Sequence, residues 1–211
     1  MVHIGIIDYG ICNITSVENV FRFLKARISI IRSSEQITQC SGIVLPGVGS
    51  FAKGMDNLKR LGFVPAIKNF ALSGRPILGI CLGMQLLMSK GFEFGNTEGL
   101  GLLDGEVVPL GADKPNGQEF HIGWSPVEQT GISSLINQHG IYYFNHGMVV
   151  NPHDSSIVTG TFKCGKNYPA LIEKENIKGV QFHPEKSSQD GLKILNNFLN
   201  LSRDTQWPLS A

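Results

Sequence analysis

The chain has 211 residues, of which 42% are hydrophobic and 17% charged, and its formal net charge is +1. That length suits one domain with a sizeable core, and the near-neutral balance argues against nucleic acid or an anionic membrane as partner. Four scattered cysteines, no secretion-signal pattern at the start and no apolar run near the ~20 residues that span a bilayer predict a soluble cytoplasmic protein with free thiols.

Residues 2–7 form a short apolar, β-branched run that fits a buried strand, broken by Asp8-Tyr9-Gly10. Thr15-Ser16-Val17-Glu18 fits a capping box at the start of a helix, with Val17, Val20, Phe21 and Leu24 at helical spacing. Residues 28–31 and 43–45 read as the second and third strands, the third ended by Pro46-Gly47-Val48-Gly49. A helix is predicted over 55–72, then a fourth strand over 76–80 that stops at Cys81, where an apolar helix begins. This alternation predicts an α/β fold with a mostly parallel central sheet flanked by helices. Ligands in such folds bind beyond the carboxyl ends of the strands, and Asp8, Gly47 and Cys81 all fall there.

The pattern changes after about residue 95. Runs at 106–110, 141–144, 157–162, 170–172 and 178–182 predict mostly antiparallel strands added to the same domain. A closing helix over 191–201 places Leu192, Leu195, Phe198 and Leu199 on one face. The domain is expected to cover 1–203, with 204–211 a tail of no clear structure.

Gly79-Ile80-Cys81-Leu82-Gly83, between strand and helix, matches the nucleophile elbow usually seen as Gly-x-Ser-x-Gly. The glycines are expected to keep side chains from crowding the sulfur. Free N–H groups at the helix start favour a thiolate, and the Leu82 N–H points where an oxyanion would develop. A thiol nucleophile needs a base. Among six histidines, His183 stands out in Gly179-Val180-Gln181-Phe182-His183-Pro184-Glu185. A strand running into His183, with Pro184 biasing it toward extended backbone, puts Glu185 on the same side two residues on. There it can orient the imidazole, giving a nucleophile, a base and an orienter.

These motifs, with Ile7-Asp8-Tyr9-Gly10, Leu45-Pro46-Gly47-Val48-Gly49-Ser50-Phe51 and Gly99-Leu100-Gly101-Leu102-Leu103, resemble the class I (triad) glutamine amidotransferases. Within that class the likeness is closest to the glutaminase subunit of imidazole glycerol phosphate synthase, from Ile4 to Leu199. The resemblance implies a flavodoxin-like amidotransferase fold and hydrolysis of glutamine to glutamate and ammonia. Cys81 would be the nucleophile, His183 the base and then the acid, and Glu185 the orienter. Backbone N–H groups of Val48 and Leu82 would form the oxyanion hole, and Gly49, Gln85, His146 and Gly147 would hold the substrate. It also implies no cofactor, no metal, and a heterodimer with a synthase (cyclase) subunit of the (β/α)₈-barrel type that receives the ammonia. Idle activity is then expected to be low without that partner.

The chain departs from the usual pattern at Cys12, Phe120, Ser125, Gly147, Met148 and Tyr168-Pro169. None of these falls in the triad. They raise a second reading, a paralogue that feeds ammonia to a surface-sugar amidination pathway. A nucleotide-binding module is a weaker rival: Gly47-Val48-Gly49-Ser50-Phe51-Ala52 fits G-x-G-x-x-A, yet no acid follows about 20 residues on. A cysteine peptidase on the same scaffold is disfavoured because Leu82, not histidine, follows the cysteine.

Overall fold

The computed structural model describes residues 2–112 and 119–204. The first half keeps the expected alternation of strands and helices: β1 (His3–Ile7), α1 (Ile14–Phe23), β2 (Arg27–Ile31), a 3₁₀ turn (Ser34–Gln39), β3 (Gly42–Gly47), α2 (Phe51–Arg60), α3 (Phe63–Leu72) and β4 (Ile77–Cys81). Then come α4 (Leu82–Leu86), β5 (Met88–Gly91), β6 (Thr97–Glu98), β7 (Leu103–Pro109), β8 (His121–Gln129), β9 (Gly140–His146) and β10 (Met148–Pro152). The chain closes through β11 (Val158–Cys164), β12 (Lys166–Lys174), β13 (Ile177–Val180), a 3₁₀ turn (Pro184–Lys186) and α5 (Ser188–Asp204).

A nine-stranded sheet runs in the order β2-β1-β3-β4-β13-β12-β11-β8-β9. Its first five strands are parallel and the rest antiparallel. A second sheet, β10-β7-β5-β6, packs separately. Strand β1 shows why the central strands are apolar throughout. Ile4 and Ile6 face a core with Phe21 and Phe198, while Ile7 faces one with Phe51 and Leu82, and all are buried. Alternate side chains point to opposite faces, and helices cover both. Each fully buried Ile or Leu contributes about 1.5–3 kcal/mol of transfer free energy. Among the described residues no helix is long and apolar enough to cross a membrane.

Several local expectations are corrected. The capping box at Thr15 does not form: α1 starts two residues earlier, with Asn13 as its cap, so Thr15 is already helical. A capping side chain works instead at Ser33, whose N–H donates to the Gln36 carboxamide at 3.2 Å. The single helix over 55–72 is two, because Gly62 takes a left-handed conformation (φ +71°) that ends one and starts the next. The apolar stretch after Cys81 stays helical for only five residues before β5. Strand β13 ends at Val180 and joins β4 in parallel rather than antiparallel. Helix α5 runs through Asp204, and the remainder of the predicted tail, 205–211, lies outside the described residues.

Candidate active site

Three parallel strands end together. Gly47 of β3 is in register with Cys81 of β4, and Val180 of β13 with Ile80 of β4. Cys81 caps the five-residue α4 with φ +54° and ψ −111°, a conformation that costs an L-residue free energy. The flanking glycines do not serve the expected purpose of space around the sulfur; they serve close backbone approach. A Cβ on Gly83 would lie 1.7 Å from the Leu45 carbonyl oxygen, and one on Gly79 2.6 Å from the Met84 nitrogen. Helix α4 is too short to carry a full macrodipole, so the free N–H groups at its start are what remain of that argument.

His183 follows β13 after Gln181 and Phe182. Its N–H donates to the Tyr143 carbonyl at 2.8 Å, and its own carbonyl accepts from the Ser187 hydroxyl at 2.6 Å. The ring Nδ1 pairs with Glu185 Oε1 at 2.8 Å, with both side chains almost wholly buried. The route to that pair differs from the extended i, i+2 geometry of the sequence argument. Pro184 opens a 3₁₀ turn, and the turn curls the Glu185 carboxylate back under the imidazole. Burial opposes charge on His183, but pairing with Cys81 and with Glu185 overcomes it and pushes the pKa up to about 10.

The Cys81 sulfur opens into a cavity of about 540 Å³ whose lining includes Val48, Gly49, Leu82, Gln85, His146 and Gly147. Every residue singled out for oxyanion and substrate binding therefore meets at one cavity. Gln85 donates through Nε2 to the Met148 carbonyl at 3.1 Å and to Gln181 Oε1 at 3.2 Å. His146 pairs through Nδ1 with the Met148 carbonyl at 2.9 Å, which makes Nδ1 the donor and leaves Nε2 an acceptor. That Nε2 is buried without a partner among the described residues. Burial pushes the His146 pKa down to about 4, so the ring is neutral near pH 7. The Val48 N–H is already engaged, donating to the Ile11 carbonyl at 2.9 Å.

The class-I glutamine amidotransferase family matches residues 5–201. This chain belongs to that family. It is 40% identical to the imidazole glycerol phosphate synthase subunit HisH 1 of Legionella pneumophila strain Lens, over 95% of this chain and 100% of that one. Against the HisH subunit of Moorella thermoacetica the identity is 42%, covering 95% of each chain. Among solved structures, PurLQS from Thermotoga maritima superposes with a TM-score of 0.75 at 19% identity, over 94% of this chain and 98% of that chain. The glutaminase domain of Trypanosoma brucei CTPS gives a TM-score of 0.70 at 19% identity, over 100% and 98% of the two chains. At those identities the structural likeness speaks for the fold.

The amidotransferase site also contains residues that the sequence reading passed over. Gln181 is fully buried, and its Nε2 lies 3.8 Å from the Cys81 sulfur. It sits in the same short motif as His183, and the i, i+2 rule applied backwards from His183 would have found it. Ser187 fixes the backbone around His183 from both sides, since its hydroxyl oxygen also accepts the Tyr143 N–H at 3.0 Å. Glu93 lines the cavity and accepts the Phe51 N–H at 2.7 Å, capping α2 from 42 residues away. No local signal marks it, because its partner is brought near only by the packing of β5 beside α2.

Proposed function

We propose that this amidotransferase is the glutaminase subunit of an imidazole glycerol phosphate synthase. Glutamine enters the cavity with its side-chain amide at Cys81. His183, where burial is outweighed by pairing with Cys81 and Glu185 and the pKa rises to about 10, already holds the proton as the sulfur attacks the amide carbon, and gives that proton to the departing ammonia. A thioester remains. Water then attacks it, with His183 as base, and collapse of that adduct releases glutamate and restores the thiol. Glu185 holds the imidazole in the tautomer that presents Nε2 to the sulfur. Leu82 and Val48 supply backbone N–H groups to the oxyanion, which requires Val48 to leave the Ile11 carbonyl. Gly49, Gln85, His146 and Gly147 line the substrate side. Glu93 supplies the carboxylate for the substrate ammonium.

The observation that carries this reading is the buried His183–Glu185 pair beside a strained Cys81 at the mouth of one cavity. An exposed apolar stripe near the cavity supports a protein partner. Phe120, Ile122 and Trp124 recur at every second residue, and Ile141 of β9 joins them, where an outward face is ordinarily polar. A (β/α)₈-barrel cyclase seated there would form a heterodimer in the cytoplasm and take the ammonia directly, as a lyase reaction partner. The test is glutamate release by wild type and Cys81→Ser, with and without the barrel subunit of the same organism, followed by identification of the aminated acceptor. Partner-stimulated release that is lost in Cys81→Ser supports the reading. Amination of a surface sugar in place of the imidazole glycerol phosphate precursor would move the chain to the paralogous pathway, and no release at all would end both.

A further inference from the structure

The end of β3 rests on a buried hydroxyl that is unpartnered among the described residues. Tyr9, two residues beyond β1, is fully buried, and its OH has no hydrogen-bond partner among the described residues. Such a group costs free energy wherever it stays unsatisfied. The hydroxyl lies against the side-chain face of Gly47: a Cβ there would be 2.2 Å from it. Gly47 is also the residue whose peptide unit carries the Val48 N–H, and that N–H now donates to Ile11.

We propose that Tyr9 is a positioning residue whose hydroxyl catches the Gly47 carbonyl when the Gly47–Val48 peptide turns to bring the Val48 N–H to the oxyanion. This rests on the glutaminase reading above. Turning the peptide exchanges its two polar groups. The N–H leaves Ile11, and the Gly47 carbonyl swings toward the vacated side, where it would face the Ile11 carbonyl oxygen. Two buried acceptors facing each other with no donor would make the turned state costly. Peptide N–H and C=O groups lie in the plane of a sheet, whereas the Cβ direction stands across it. The Tyr9 hydroxyl stands in that crossing direction, so a carbonyl that stops part-way through the turn meets a donor there instead of the Ile11 oxygen.

Two further observations agree. The donor is held still: the Tyr9 carbonyl accepts from Asn57 Nδ2 at 2.9 Å in the core. It also keeps its proton, because burial raises the phenol pKa well above its ordinary value. Gly47 itself is required by the 2.2 Å approach of the hydroxyl and is free to turn for the same reason, having no side chain.

The experiment is Tyr9→Phe, measured in the complex with the barrel subunit. The ring stays and only the unpartnered hydroxyl goes. The expected result is a kcat for glutamine hydrolysis lowered on the order of tenfold with KM little changed. Alkylation of Cys81 by iodoacetamide, which needs no oxyanion hole, should proceed at the wild-type rate. The melting temperature should hold or rise, because a buried unsatisfied group has been removed. A wild-type kcat in the variant would overturn the proposal. So would parallel losses of kcat, alkylation rate and melting temperature, which a merely structural hydroxyl would give. If wild type itself releases no glutamate with its partner, the glutaminase reading fails and this proposal falls with it.

Discussion

The Gln181 carboxamide bridges two residues of the cavity: its Nε2 lies 3.8 Å from the Cys81 sulfur, and its Oε1 accepts from Gln85 at 3.2 Å. With the amide oxygen occupied by Gln85, the N–H side is fixed toward the sulfur. On the proposed mechanism, a preorganised N–H at that position supports negative charge on the sulfur. Gln181→Leu keeps approximate volume and removes the donor, while Gln85 keeps its bond to Met148. The rate of Cys81 alkylation by iodoacetamide at neutral pH should fall by roughly three- to tenfold, with kcat following. An unchanged alkylation rate would show that the contact is packing alone.

The His183–Glu185 pair makes stability depend on pH in a definite direction. Burial opposes the charge on His183, yet pairing with Cys81 and Glu185 lifts its pKa from 6.5 to about 10. The folded value therefore exceeds the unfolded one. Its stabilisation is fully present below the unfolded value and is lost as pH rises through the folded value. Glu185→Gln removes one of the two partners. Denaturant titrations should show the variant most destabilised near about pH 6, with the gap to wild type closing toward about pH 10. In the same variant kcat should fall on the order of a hundredfold, because the imidazole loses its charged partner and a carboxamide can also present its NH₂ group and favour the wrong tautomer. A destabilisation that is flat across that window would disconnect the carboxylate charge from His183.

Much of this site was legible before any coordinates, for a physical reason. Gly79 and Gly83 are demanded by backbone contacts that no side chain tolerates, so the elbow leaves a mark at fixed spacing. His183 and Glu185 act through local chain geometry, so they also fall within one short motif. Strands β1, β3 and β4 were legible because they are buried on both faces and read as continuous apolar runs, whereas nothing local in β13 told that it would join them in parallel. Strand β8 was not, since Gly123 and Pro126 interrupt it and its exposed positions are the apolar ones. Gly62 shows a different failure: one left-handed residue ends a helix although the apolar spacing continues past it. Glu93, Tyr9 and the Val48–Ile11 bond were out of reach because each depends on which elements pack together, not on spacing along the chain.

Trp124 connects the exposed stripe to the site. Its ring meets Tyr143 edge-on with centroids 5.9 Å apart, and the Tyr143 carbonyl accepts the His183 N–H at 2.8 Å. Trp124 is 53% exposed, Ile122 65% and Ile141 55%, which is too much apolar surface in one place to be left facing water. A large aromatic at the centre of such a patch is the kind of residue that dominates binding. Trp124→Ala should weaken association with the barrel subunit by about 30-fold or more, as measured by titration calorimetry. The same variant should still hydrolyse glutamine at the low partner-free rate. Binding equal to wild type would place the partner on another face.

Cys81 should trade stability for reactivity, and a pair of substitutions can separate the two. With φ +54° and ψ −111°, its backbone lies where a Cβ is disfavoured and glycine is not. The strain is held by the strand–helix junction, where Gly79 and Gly83 pack against backbone atoms and leave the turn no room to relax. Both Cys81→Ala and Cys81→Gly remove the sulfur, so both should lower glutamine hydrolysis by at least roughly a thousandfold. Ala keeps the Cβ and its strain, whereas Gly releases it. Cys81→Gly should therefore be more stable than Cys81→Ala by about 1 kcal/mol, although glycine ordinarily destabilises a folded chain through its unfolded-state entropy. Denaturant unfolding of the two variants gives the comparison directly. If the alanine variant is the more stable, the turn is not strained by its side chain, and the positive φ at this residue has no energetic cost for the enzyme to carry.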